Sequence, residues 1–187
     1  MEDPLSGGFA DAPVQAARAF RAALEAMARP GRMQRLAGAT PPAPLSVAAG
    51  TLLLTLVDDT TPLYLAPGHQ GAALRDWIAF HCAAPLCAPE EAVFALGRWE
   101  GLPLERFRLG TPEYPDRSVT LIVEPPALAP QNAQLSGPGI ATVQAAQLPE
   151  TAAFEANRAR FPLGFDAFFC AGDQAFALPR STRVEAL

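Results

Sequence analysis

Near the C-terminus, Pro179-Arg180-Ser181-Thr182-Arg183-Val184 places two guanidinium groups and two hydroxyls in consecutive positions. Guanidinium forks and a hydroxyl gathered on a firm base suit phosphate or phosphonate oxygens, or a carboxylate on a partner subunit. A solvated chain end is the plain alternative, and residue types alone leave both open. Arg180, Thr182 and Arg183 are therefore candidate site residues. A second candidate is Arg29-Pro30-Gly31. An arginine there is either an anion contact or a cation suited to the negative end of a helix dipole, and the dipole reading is the plainer.

Other chemistry is thinner. His69, His81, Cys82 and Cys87 invite a zinc reading, but their spacing matches neither Cys-x2-Cys nor His-x3-His. A partly buried, satisfied His81 and inert cysteines are expected instead, with Cys170 a small core residue inside an apolar strand. Ser136-Gly137-Pro138-Gly139 offers backbone N–H groups to an anion. It lacks the strand-to-helix setting of a phosphate loop, Pro138 removes one donor, and an ordinary tight turn is the better reading. Asp58, Asp59, Glu113 and Asp116 flank loops and read as solvated carboxylates. No G-x-S-x-G, H-E-x-x-H or Walker motif occurs. All 14 basic residues are arginine. Without lysine the chain has no P-loop lysine, Schiff-base lysine or lysine general base.

The elements that must position these residues follow from periodicity and punctuation. Phe165–Cys170 and Gln174–Leu178 are apolar runs separated by about three turn residues including Gly172, which predicts a β-hairpin. Neither run alternates, so both faces are expected to be covered. Pro179 cannot donate to a ladder, so the sheet ends there and the arginine tip projects from its edge. Upstream, Asp11 as N-cap, Pro13 in the first turn and Arg29-Pro30-Gly31 as the stop frame a helix. Val14, Ala17, Phe20, Leu24 and Met27 form its apolar stripe, taken as the core face. Arg32–Leu36 reads as an edge strand and Leu45–Val57 as a buried helix. Leu63–Leu65 reads as a strand, 71–81 as a helix and Ala92–Leu96 as a strand. Ser118–Glu124 is the clearest strand by β-branched content, and Pro149–Phe161 reads as a helix. One α/β domain with a mixed sheet follows.

The chain has 187 residues, half of them hydrophobic, 20 prolines and a net charge of −5. That length supports one core, and the acidic balance argues against a nucleic-acid-binding surface. No apolar run is long enough to span a membrane, and the acidic start Met1-Glu2-Asp3-Pro4 does not read as a signal peptide. Three cysteines suggest reduced thiols in the cytoplasm.

Ordered phrases along the chain carry a resemblance. They begin with Gly8-Phe9-Ala10-Asp11, Arg18-Ala19-Phe20-Arg21 and Met27-Ala28-Arg29-Pro30-Gly31. Leu52–Asp58 with Thr61-Pro62-Leu63, Trp77 with Phe80-His81, and Gly110-Thr111 through Pro115 continue them. Leu135–Ile140, Phe161–Gly164 with Asp166, and Leu178–Val184 complete them. Together they resemble the PhnH family of the bacterial carbon–phosphorus lyase system. The resemblance implies a single three-layer α/β/α domain over residues 1–187, with residues 1–8 as a flexible arm. It is a fold similar to pyridoxal-phosphate-dependent transferases without that cofactor's site, and the missing lysine is consistent with this. It implies a homodimer when isolated, and a larger assembly with PhnG, PhnI and PhnJ. With PhnG, PhnI and PhnL, such a subunit supports transfer of methylphosphonate to ribose C1 of ATP. Adenine leaves, and α-D-ribose 1-methylphosphonate 5-triphosphate forms. No cofactor is expected on this chain, ATP being a substrate of the assembled complex. The later carbon–phosphorus cleavage belongs to PhnJ with its iron–sulfur cluster, which the spacing of Cys82, Cys87 and Cys170 does not fit. The alternatives are a non-catalytic scaffold subunit and a stand-alone binder of a phosphorylated small molecule at the arginine tip.

Overall fold

The computed structural model describes residues 6–187. In chain order these form α1 (Ala12–Ala28), β1 (Gln34–Arg35), α2 (Val47–Leu56), β2 (Leu63–Leu65), α3 (Ala72–His81), β3 (Phe94–Gly97) and β4 (Thr120–Val123). Then come β5 (Ala133–Ser136), β6 (Gln144–Ala146), α4 (Thr151–Ala159), β7 (Asp166–Ala171), β8 (Gln174–Leu178) and β9 (Arg183–Ala186). The main sheet has six strands in the order β1-β8-β7-β4-β3-β2. β2, β3, β4 and β7 run parallel, while β8 and β1 add antiparallel at one edge. The sheet is mixed, as the sequence suggested.

Covered faces explain why the strands do not alternate. In β7, Phe168 and Cys170 point into one core while Ala167 and Phe169 point into the other. β8 repeats the pattern with Ala175 and Ala177 against Phe176 and Leu178. The first core is roofed by α1, α2 and α3 through Ala23, Leu52, Leu53, Trp77 and Ile78. The second is roofed by a three-stranded antiparallel sheet, β6-β5-β9, together with α4. The expected all-helical outer layer is thus half right: one face carries helices, the other strands plus one helix. The hairpin turn is tighter than expected. Ala171 pairs with Gln174, which leaves only Gly172 and Asp173 in the turn.

Residues 1–5 of the expected arm lie outside the described residues; Ser6 is exposed, and Gly7 and Gly8 are partly buried. The Ser6 carbonyl accepts from Trp77 Nε1 at 3.1 Å, and the Gly7 carbonyl accepts from Thr40 N at 2.8 Å. One local expectation is corrected, that for α1. Its buried residues are Ala19, Ala23 and Ala26, whereas Val14, Phe20 and Leu24 of the predicted core stripe are 43%, 54% and 59% exposed. Alanines let α1 lie close to α2 and β8, where larger side chains would hold it off. The stripe has the helical period, but Val14, Ala17, Phe20 and Leu24 face outward and only Met27 packs against the core.

Candidate functional site

β5 ends at Ser136, and the chain reverses through Gly137-Pro138-Gly139 before returning as β6. This turn wedges between the two segments singled out from the sequence. Gly139 has φ +82°, and a β-carbon there would stand 2.0 Å from the Ala28 carbonyl oxygen and 3.1 Å from Pro30. Only glycine fits that approach. On the other side, the backbone at Gly137 lies against Ser181 to Arg183. Gly31 N donates to the Ala177 carbonyl at 3.0 Å, which anchors the α1 exit to β8. The Arg29-Pro30-Gly31 exit and the 181–183 segment therefore flank one turn, although 150 residues separate them in the chain.

A cleft of about 230 Å³ opens beside this turn, lined by Arg29, Pro30, Arg32 and Gly139 to Gln144. A smaller hollow of about 150 Å³ shares Arg32 and Gln144 with it and adds Gln131 and Gln147. Arg29 is tied to Glu25 at 2.8 Å across one helical turn. Among the described residues Arg32 makes no ion pair. Guanidinium and side-chain amides are donors placed around a small, open, electropositive recess, which is chemistry for an oxyanion.

The arginine tip does not project as expected. Arg180 folds back onto β7: its backbone N and its Nε donate to Asp166 Oδ1 at 2.8 and 3.1 Å, and Nη2 meets Oδ2. Its Nη1 donates to the Pro115 carbonyl. Thr182 is buried, and its hydroxyl has no hydrogen-bond partner among the described residues. Arg183 alone is exposed, as the first residue of β9 opposite Ser136. The segment is a bridge between the two sheets, not a chain end. Pro179 stops β8 as predicted, but Val184 then finds a second core. Replacing Asp166 by Asn turns one acceptor into a donor facing the guanidinium. Urea unfolding should report a loss of about 2 kcal/mol, because the charged hydrogen bonds are only partly screened.

The best-enclosed polar pair was not found from the sequence. Glu124 directly follows β4, and His69 lies in the loop after β2, so both sit at the carboxyl ends of parallel strands. Their side chains are 9% and 3% exposed, with His69 Nε2 2.6 Å from Glu124 Oε2. Glu124 Oε1 accepts from the backbone N of Ser46, the residue that caps α2. With Nε2 engaged by the carboxylate, His69 Nδ1 has no hydrogen-bond partner among the described residues. A carboxylate closing a buried strand was the available signal, since α/β sheets place polar function at that edge. Nothing in the sequence pairs it with a histidine 55 positions away.

A family model described as "Bacterial phosphonate metabolism protein (PhnH)" matches residues 7–185. The chain belongs to the PhnH family. A relative from Rhizobium meliloti (strain 1021) is 40% identical over 192 residues, spanning 96% of this chain and 95% of the relative. That protein is named "Alpha-D-ribose 1-methylphosphonate 5-triphosphate synthase subunit PhnH".

Within this PhnH-family chain the cysteines are poor nucleophiles. Burial pushes the Cys82 thiol up to about 12 and raises Cys170 as well. Cys87 is half-buried and also raised, by burial first and then by Glu91. Among the described residues, no three His, Cys, Asp or Glu side chains gather as a metal site would require. Asp58 is held below its usual carboxylate range by Thr61 and Thr60, which makes it a turn-former. His81 is half-exposed and packs on Trp77 and Phe80, with Nε2 3.2 Å from the Ser6 carbonyl. Among the described residues, no helix is long and apolar enough to cross a membrane.

Proposed function

We propose that this chain is a subunit of the synthase that joins methylphosphonate to ribose C1 of ATP, releasing adenine and forming α-D-ribose 1-methylphosphonate 5-triphosphate. The 40% identity to a subunit of that name, running almost end to end on both chains, carries this reading. The geometry supports a contributing role over a self-contained one. The His69–Glu124 pair is buried, and the open recess at Arg29 and Arg32 is small for a nucleoside triphosphate. In this reading the chain is one α/β domain similar to pyridoxal-phosphate-dependent transferases but binding no cofactor. It forms a homodimer when isolated, works in the cytoplasm with PhnG, PhnI, PhnJ and PhnL, and binds neither nucleic acid nor membrane. Arg29, Pro30, Gly31 and Arg183 lie at or beside the recess, which would hold phosphonate or phosphate oxygens once the assembly closes over it. Arg180 and Thr182 do not line it: Arg180 is tied to Asp166 and the Pro115 carbonyl, and Thr182 is buried behind the Gly137 turn.

The test is reconstitution of the assembly with and without this chain, following 31P resonances from ATP and methylphosphonate. The complete assembly should form the ribose phosphonate product; an assembly active without the chain would sink the proposal. Replacing both Arg29 and Arg32 by Ala should lower turnover by about tenfold or more while leaving complex yield intact, as expected for loss of charge-assisted contacts. Reduced yield with unchanged specific activity would instead favour a scaffold.

A further inference from the structure

We propose that the outward face of α1 is a docking surface for a different protein of the assembly, one presenting an apolar groove edged with carboxylates. This rests on the subunit reading above. Val14, Ala17, Phe20 and Leu24 recur at helical spacing along one exposed side of α1. Scattered exposed apolar residues need no explanation, but here the arrangement is inverted. The helix buries Ala19, Ala23 and Ala26 and offers Val14, Phe20 and Leu24 to solvent, while Met27 packs against the first core. Val14, Ala17, Phe20 and Leu24, at i, i+3, i+6 and i+10, share one side of the helix, as the anchors of helix-in-groove recognition do.

Charge selects the occupant. Arg21 stands within the strip and Arg18 beside it, and among the described residues neither makes an ion pair. Glu25, the acid on this side, is already joined to Arg29. A second copy seated by two-fold symmetry would bring the same unpaired cations toward one another as the strip loses water, which is unfavourable. A partner with carboxylates beside its groove would pair them. The face also continues to the recess described above. Exposed Ala28 follows Leu24 by one helical turn and leads to Arg29 at the rim. A partner lying on α1 would therefore wall the open side of the electropositive recess, completing it from a second chain.

The experiment is co-expression of this chain with PhnG, PhnI and PhnJ from the same organism, with recovery of the assembly by a tag on PhnI. The wild-type chain should enter the assembly. Phe20→Glu with Leu24→Glu should cut incorporation about tenfold or more, and Arg18→Glu with Arg21→Glu should cut it measurably, most at low salt. Phe20→Ala with Leu24→Ala, which keeps strong helix formers on an exposed face, guards against a folding defect and should still reduce incorporation. Thermal melting and native mass spectrometry of each isolated variant should match the wild type. Incorporation of all three variants at wild-type levels overturns the inference. A variant that assembles normally but changes the oligomeric state of the isolated chain also overturns it, because the face then belongs to a second copy. Failure of the wild-type chain itself to enter the assembly is a separate result, which overturns the subunit reading and this inference with it.

Discussion

Glu124→Ala should lower the melting temperature of the isolated chain by roughly 10 °C, a loss of about 3–5 kcal/mol for a chain of this length. The size follows from what one carboxylate does. Its Oε2 lies 2.6 Å from His69 Nε2, and its Oε1 takes the Ser46 N–H at the start of α2. Removal leaves both nitrogens unpartnered in a place water does not reach, and it also leaves a void at the carboxyl end of β4. Glu124→Gln keeps the shape and one acceptor, so it should cost less than half as much. His69→Ala removes only one partner and should fall between them. Circular dichroism melts of the three variants check the order. Equal, small shifts in all three would mean that the pair is not the fastening between β2, β4 and α2 that its position indicates.

Gly139→Ala should be the most damaging single change at the recess, at about 3 kcal/mol, even though it adds one methyl group. The residue sits at φ +82°, and its new β-carbon would meet the Ala28 carbonyl oxygen at 2.0 Å. That atom belongs to backbone, so either the turn or the end of α1 must move. Turnover of the assembled complex should fall together with melting temperature, because Arg29 and the turn would no longer share one recess. The contrast with Arg29→Ala and Arg32→Ala is diagnostic. Those remove exposed side chains and should spare stability while lowering turnover. An unchanged melting temperature for Gly139→Ala would show that the turn slides freely over α1.

The sequence made some features legible because they are local. Gln174 to Leu178 and Phe165 to Cys170 announced a hairpin covered on both faces through their content and the Gly between them. The length and all-round apolar content of Leu45–Val57 announced α2, which begins at Val47 with the Ser46 hydroxyl accepting from Ala49 N. The two large misreadings have tertiary causes. The stripe on α1 has the right period, but period does not say which side faces the sheet when the opposite side is alanine. The arginine tip was read as free because nothing nearby in sequence could bind Arg180; its partner, Asp166, lies across the hairpin on β7. His69 and Glu124 met only through the packing of parallel strands. The family, by contrast, was legible from ordered phrases, since phrases need no three-dimensional partner to be read.

Strand β8 lies between β1 and β7, and β9 closes the small sheet on β5. β1 reaches β8 across most of the chain, with Arg35 Nε on Asp173 Oδ2 at 2.7 Å. During synthesis from the N-terminus, α1 and β1 therefore emerge long before the strand that seats them exists. Until then α1 has apolar residues on both sides and only α2 to pack against. The seating of β1 and α1 therefore waits for β8, whereas β2, β3, β4 and β7 already adjoin one another in a chain halted short of it.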